Sequence, residues 1–216
     1  MSPKLFFNTR IFTPADTGTP RSGADQGELA VYENGALLVK DGRIIDIGPE
    51  ADVRNRMPRA ENLTKVDCRG RCMIPGFVDP HTHMCWAGLR EEEFDMRLAG
   101  RSYLDILETG GGILSTVRAV RETDPDELYT QTLERVRTAL ELGTTTIEIK
   151  SGYGLDTQTE LKMLEVIAKI DETTALDVVP TFLGAHAVPE TFKDDPDGFI
   201  DLIIKEMLPA VNAQEI

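Results

Sequence analysis

Up to Pro75 the apolar positions fall in short runs of β-forming residues. Lys4-Leu5-Phe6-Phe7 and Arg10-Ile11-Phe12 read as two short strands, followed by a Gly/Pro/Ser/Asp-rich loop over residues 13–27. Ala36-Leu37-Leu38-Val39-Lys40 and Arg43-Ile44-Ile45-Asp46-Ile47 flank Asp41-Gly42, a two-residue turn whose positive φ angles suit the twist of a hairpin. Lys65-Val66-Asp67-Cys68 and Arg71-Cys72-Met73-Ile74 predict a further strand pair around Arg69-Gly70. A helical period occurs in this region only near residues 51–57.

Beyond Pro75 the pattern becomes strand, loop, helix, strand. Gly76-Phe77-Val78-Asp79 is an apolar run leading into Pro80-His81-Thr82-His83. Residues 93–108 read as a helix, Gly110-Gly111-Gly112 breaks it, and residues 113–121 resume the period. Asp124-Pro125-Asp126-Glu127 combines an N-cap carboxylate with proline in the first turn; Leu128, Val136 and Leu140 give that helix its stripe, and Gly143 stops it. Thr144-Thr145-Thr146-Ile147-Glu148-Ile149-Lys150 is a β-branched strand that runs into Ser151-Gly152-Tyr153-Gly154. Thr157 with Glu160 reads as a capping box for a helix striped by Leu161, Leu164, Ile167 and Ile170. A third strand over residues 176–182 leads to a loop holding His186, and Asp195-Pro196 caps a last helix to about Met207.

Three strand-then-helix units in series predict an α/β protein with a parallel sheet, for which the commonest enzyme architecture is the (β/α)8 TIM-type barrel. Such a barrel takes about 250 residues, more than residues 76–216 supply. An open three-stranded parallel sheet would leave its edges and one face uncovered, so the chain is expected to be truncated.

Composition narrows the partners. The 216 residues are 41% hydrophobic and 28% charged, ordinary globular usage, with a formal charge of -14. That charge repels phosphate backbones and anionic lipid, so neither nucleic acid nor a membrane is an expected partner, whereas a local arginine can still attract a small anionic substrate. Cys68, Cys72 and Cys85 are an odd number, no apolar signal segment opens the chain and no run reaches membrane-spanning length; a reducing cytoplasm is expected. Cys68 and Cys72 have no second Cys or His pair at zinc spacing and read as ordinary thiols.

The candidate chemistry begins at His81 and His83. Side chains on a strand alternate, so both imidazoles share a face and can reach one ion, at the strand end where barrel enzymes build their sites. Such a pair alone also occurs by coincidence; its surroundings decide. Ile74-Pro75-Gly76-Phe77-Val78-Asp79-Pro80-His81-Thr82-His83 resembles the signature of the amidohydrolase superfamily, in which a strand-rich domain leads into the first barrel strand carrying two metal-binding histidines. Within it, the blocks at residues 77–100, 110–118, 148–155 and 181–189 resemble the imidazolonepropionase family, in order and across essentially the whole chain.

The resemblance implies residues 1–75 as the N-terminal strand-rich part of a composite β-sandwich and residues 76–216 as the first three β/α units of the barrel. It implies hydrolysis of 4-imidazolone-5-propanoate to N-formimidoyl-L-glutamate in histidine degradation, one divalent Zn or Fe ion, a small-molecule substrate and a homodimeric full-length protein. His81 and His83 match metal ligands; Arg90, Tyr103, Tyr153 and His186 match substrate-contacting positions, with His186 placed to hydrogen-bond the substrate or a developing oxyanion. Further ligands and a proton-shuttling acid would come from later strands, so the chain alone is expected to be inactive.

Each residue also has a plain reading: Arg90 a solvated arginine among Glu91, Glu92 and Glu93, Tyr103 and Tyr153 packing aromatics, His186 a loop histidine, Lys150 structural, and Gly110-Gly111-Gly112 either an anion cradle or a close-packed turn. Two rival functions stay open, another cyclic amidohydrolase such as a dihydroorotase or hydantoinase relative, and a non-catalytic truncated fragment.

Overall fold

The structure, a computed structural model, describes residues 2–14, 18–57 and 62–214, so part of the expected 13–27 loop, residues 15–17, lies outside the described residues. The chain divides into two compact units, Met1–Pro75 and Gly76–Ile216.

In the first unit β1 (Lys4–Thr13) is one strand where two were expected. Asn8, which separates the two apolar runs, adopts a left-handed φ of 56° and makes an irregularity in the pairing without ending the strand. Its side-chain amide donates to Asp67 Oδ1 at 2.7 Å, and its backbone N–H donates to Glu50 Oε2 at 3.1 Å. β2 (Ala30–Lys40) and β3 (Arg43–Pro49) form the expected hairpin, with Asp41 and Gly42 both at positive φ. α1 (Glu50–Arg56) follows, and its Val53 is buried with Leu5, Ala36 and Leu38.

β4 (Thr64–Asp67) and β5 (Cys72–Met73) do not pair with each other as expected. Both lie parallel to β1, the first beside Lys4–Phe7 and the second beside Arg10 and Ile11. Arg69 and Gly70, at φ 55° and 72°, offset the chain between the two strands, and the connecting backbone stays bonded to β1 through Cys68 N–H to Phe7 O and Gly70 N–H to Asn8 O. The result is a mixed sheet of order β3-β2-β1-β4 with β5 also on β1.

The second unit is a parallel sheet of β6 (Phe77–Thr82), β7 (Thr144–Lys150) and β8 (Asp177–Thr181), in that order. Between β6 and β7 run α2 (Glu91–Leu98), α3 (Tyr103–Glu108), α4 (Ile113–Glu122) and α5 (Pro125–Glu141). The single helix expected over 93–108 is two: Gly100, at φ 85°, follows the end of α2, and a reciprocal Ser102–Asp105 capping box opens α3. Lys162 caps the far end of α4, donating to Val120 O at 2.6 Å and Thr123 O at 2.9 Å.

α6 (Thr157–Thr173) connects β7 to β8. After β8, the helical run α7 (Pro196–Leu202) continues through a π-helical turn, Ile203–Met207, into α8 (Leu208–Ala213), past the expected end at Met207. Pro209 has no N–H to return, and the wider turn ahead of it accommodates that loss.

β7 shows why this layer holds. Ile147 and Ile149 are fully buried and pack with Leu128 and Val136 of α5 and Met163, Leu164, Ile167 and Ile170 of α6. β6 and β8 are the sheet's outer strands, and Phe77, Val78 and Val179 on them stay 55%, 65% and 51% exposed. Among the described residues no helix is long and apolar enough to cross a membrane.

The cysteines differ sharply in setting. Cys85 is fully buried in this core, and burial pushes its thiol from 9.0 up to about 12, whereas Cys72 is exposed. Iodoacetamide at pH 8 should therefore label Cys72 in the native protein and Cys85 only after unfolding, which peptide mass mapping reads directly. Above pH 9 the unfolded chain loses this proton while the native state keeps it. Stability that is complete below pH 9 is thus lost as pH rises toward 12, and Cys85→Ala should show a shallower alkaline decline in melting temperature.

Candidate active site

The site is built from three strand ends. Thr82, closing β6, lies opposite Ile149 in the ladder and is buried with it on the helix-covered face. The two-residue period then turns His81 and His83 to the opposite face, with Glu148 and Lys150. Glu148 holds Thr82 twice: the Thr82 N–H donates to Glu148 Oε2 at 3.1 Å and the Thr82 hydroxyl donates to the Glu148 carbonyl at 2.6 Å. Lys150 is paired with the second carboxylate oxygen of Glu148, a structural use of its charge. Arg135, from α5, secures the segment after the pair by donating to the carbonyls of Met84 and Trp86 while its guanidinium lies 3.6 Å over the Trp86 ring.

Four rings converge here. His83 lies 5.5 Å from His81, 5.6 Å from Tyr153 and 4.8 Å from His186 between ring centroids, and Tyr153 and His186 are 5.3 Å apart. Burial, then the neighbouring His186 and His81, hold the His83 pKa below 6.5, so its imidazole is neutral at pH 7. Its buried Nδ1 has no hydrogen-bond partner in the structure. Burial also raises the Tyr153 phenol above its ordinary range, keeping it protonated.

His186 is fixed from the neighbouring loop. Its Nδ1 is 2.9 Å from the Gly152 carbonyl, which can only accept, so Nδ1 carries a hydrogen and donates it there. The two loops are further joined by Leu183 N–H to Ser151 Oγ at 2.9 Å and Ser151 N–H to Thr181 O at 2.9 Å.

Arg90 precedes α2. Together with His83, Trp86, Gly88, Thr116 and Tyr153 it lines a cleft of about 300 Å³. Its guanidinium donates to Glu93 Oε2 at 2.5 Å, and that contact holds the Glu93 carboxyl below the ordinary carboxylate range. Glu93 Oε1 accepts the Gly112 N–H at 2.8 Å, so the glycine run ahead of α4 holds a carboxylate from the protein itself. Tyr103 opens α3, is half exposed and is not among the cleft-lining residues.

The 151–155 turn departs from the expected local structure in one respect. Thr157 and Glu160 do not form a capping box: Asp156 caps α6, accepting the Thr159 N–H at 2.8 Å. Glu160 is freed by that shift, is fully buried, and accepts three backbone N–H groups, Gly152 at 2.9 Å, Gly154 at 2.8 Å and Leu155 at 2.9 Å. Sequence reasoning also passed over Glu93 and Arg135, which read as surface charges until their partners are known.

No family model matches the chain. Along its full length it is 58% identical to the imidazolonepropionase of Desulfotalea psychrophila (strain LSv54 / DSM 12343), of which it covers 52%. Its sequence is similar to that imidazolonepropionase from end to end. A second imidazolonepropionase, from Syntrophobacter fumaroxidans (strain DSM 10017 / MPOB), is 57% identical over 211 residues, 98% of this chain and 50% of that protein. The chain thus spans about half the length of these curated relatives. In fold it is similar to E. coli guanine deaminase, with a TM-score of 0.54 over 95% of this chain and 43% of that one at 17% identity.

His81 and His83 suit a metal as two imidazole donors on one face, the second held neutral by burial and with an unpartnered buried nitrogen. Among the described residues no group of three or more His, Cys, Asp or Glu side chains is placed to hold an ion.

Proposed function

We infer that this chain supplies one side of the active site of a metal-dependent hydrolase that opens the ring amide of 4-imidazolone-5-propanoate to N-formimidoyl-L-glutamate, the imidazolonepropionase reaction. The observation that carries the reading is the convergence of His81, His83, Tyr153 and His186, with Arg90 on the same cleft as His83 and Tyr153. The similarity to imidazolonepropionases supports the substrate. The outer strands of the parallel sheet, with Phe77, Val78 and Val179 exposed, support its completion by further strands as part of a (β/α)8 barrel.

Hydrolysis adds water to the ring carbonyl carbon and breaks its bond to nitrogen, which leaves with a proton. A divalent ion, zinc or iron, supplies Lewis-acid polarisation and acidifies water when bound, and His81 and His83 are the residues that would hold it. The other residues bind and orient. Arg90 offers a planar fork for the propanoate carboxylate, kept in place by Glu93. His186, with its Nδ1–H held by the Gly152 carbonyl, presents Nε2 as the ring atom that hydrogen-bonds the substrate or the developing oxyanion. The protonated Tyr153 hydroxyl is the neighbouring donor.

The test is to load the full-length protein with zinc or ferrous iron and follow substrate loss and formation of the ring-opened product. A protein that opens hydantoin and leaves 4-imidazolone-5-propanoate untouched would replace this reading with that of a hydantoinase relative. Arg90→Lys keeps the charge and loses the fork. Steady-state kinetics should show KM raised about 10- to 100-fold with kcat nearly unchanged.

A further inference from the structure

We propose that Glu160 is the positioning residue of this site, the buried carboxylate that fixes the 151–155 turn and through it the tautomer and placement of His186. The inference rests on the hydrolase reading only in taking His186 Nε2 as an atom that meets substrate. The chain of contacts is short. Glu160 Oε2 accepts from Gly152 N–H, and the carbonyl of that same Gly152 accepts from His186 Nδ1–H. Glu160 Oε1 accepts from the Gly154 and Leu155 N–H groups, so together with Gly152 the backbone on both sides of Tyr153 is tied to one side chain.

The turn needs such an acceptor. Leu155 is buried at φ 55° and Gly152 stands at φ 102°, conformations that are strained for a residue with a Cβ and persist only when their surroundings hold them. Three backbone N–H groups at this turn point to one place, and only an acceptor with no hydrogens of its own satisfies all three. A carboxylate does so. Glutamine has the same shape but turns an NH2 group toward at least one of those donors, so Glu160→Gln removes the function while retaining the volume.

A spectroscopic test separates positioning from bulk stability. The chain has three histidines, and 15N-histidine labelling with His186→Asn to assign the signal reads which ring nitrogen of His186 carries hydrogen. The wild-type protein should show the Nδ1–H form, with the Gly152, Gly154 and Leu155 amides protected from exchange. Glu160→Gln, with native far-UV circular dichroism and a cooperative melt, should lose the single Nδ1–H form and expose at least one of those amides. Glu160→Gln with an unchanged His186 signal and unchanged amide protection overturns the proposal.

Should Glu160→Gln not fold, the wild-type measurements decide alone: Nε2–H at His186, or free exchange at all three amides, overturns the proposal. None of these readouts uses a substrate, so failure of the imidazolone reading would leave them interpretable. In the active full-length form the same variant should lower kcat/KM by about 100-fold, the cost of a catalytic-site group displaced by about an ångström.

Discussion

Replacing His83 with alanine in the full-length, metal-loaded protein is expected to remove the bound ion and reduce hydrolysis by more than about 100-fold, beyond the 10- to 100-fold typical of losing an outer partner of a ligand. Metal content per protein, measured on dialysed samples, checks the first part, and a variant that keeps its full complement of ion would sink the assignment. The ion-free protein should respond differently. His83 is held neutral by burial first and by His186 and His81 next, so its folded pKa lies below 6.5 and the unfolded chain takes up the proton first on acidification. Its contribution to stability is present above pH 6.5 and is lost as pH falls below that value. His83→Ala deletes this proton uptake together with an unpartnered buried nitrogen. Between pH 7 and 5 the melting temperature of the variant should fall less steeply than that of the wild type.

What the sequence made legible follows from the range of the forces involved. The hairpin at Asp41-Gly42, the N-terminus of α5 at Asp124-Pro125 and the core stripe of α6 are set by neighbours within one turn, and the structure has all three. His81 and His83 were readable because a strand fixes the faces of alternating residues. The sharing of one cluster by Tyr153 and His186 with that pair rests on three strands lying in parallel order, which the repeated strand-helix pattern implied.

Contacts between distant backbones were not readable. The strands β4 and β5 compete for the same partner, β1, and only the path of Arg69-Gly70 decides that they line up along it. Glu160 was misread for a subtler reason. Thr157 and Glu160 have capping-box spacing, but Asp156 is the better acceptor and moves the helix start back by one residue. A visible signal was present all the same: a glycine-rich turn with several N–H groups, and an acid one helical turn downstream able to satisfy them.

Gly152 gives that network its most severe single test. An added Cβ there would meet the Leu183 carbonyl at 2.9 Å and the Cβ and Nδ1 of His186 at 3.0 Å, at a φ of 102°. Neither neighbour is the free end of a flexible chain: one is backbone and the other is a ring held by the Gly152 carbonyl itself. Gly152→Ala should therefore carry two costs, about 1–2 kcal/mol for the backbone conformation and about 1–3 kcal/mol for overpacking. Gly100→Ala separates them. Gly100 has φ 85° and nothing within 4 Å of an added Cβ, so it bears the first cost alone. Urea unfolding should show Gly152→Ala losing about 2–5 kcal/mol and Gly100→Ala about 1–2 kcal/mol. The His186 ring signal should move in the first variant and stay in the second. Equal losses with an unmoved ring would mean that the loops yield to an extra methyl group, and the close approach of Gly152 to His186 would then not be what sets the histidine in place.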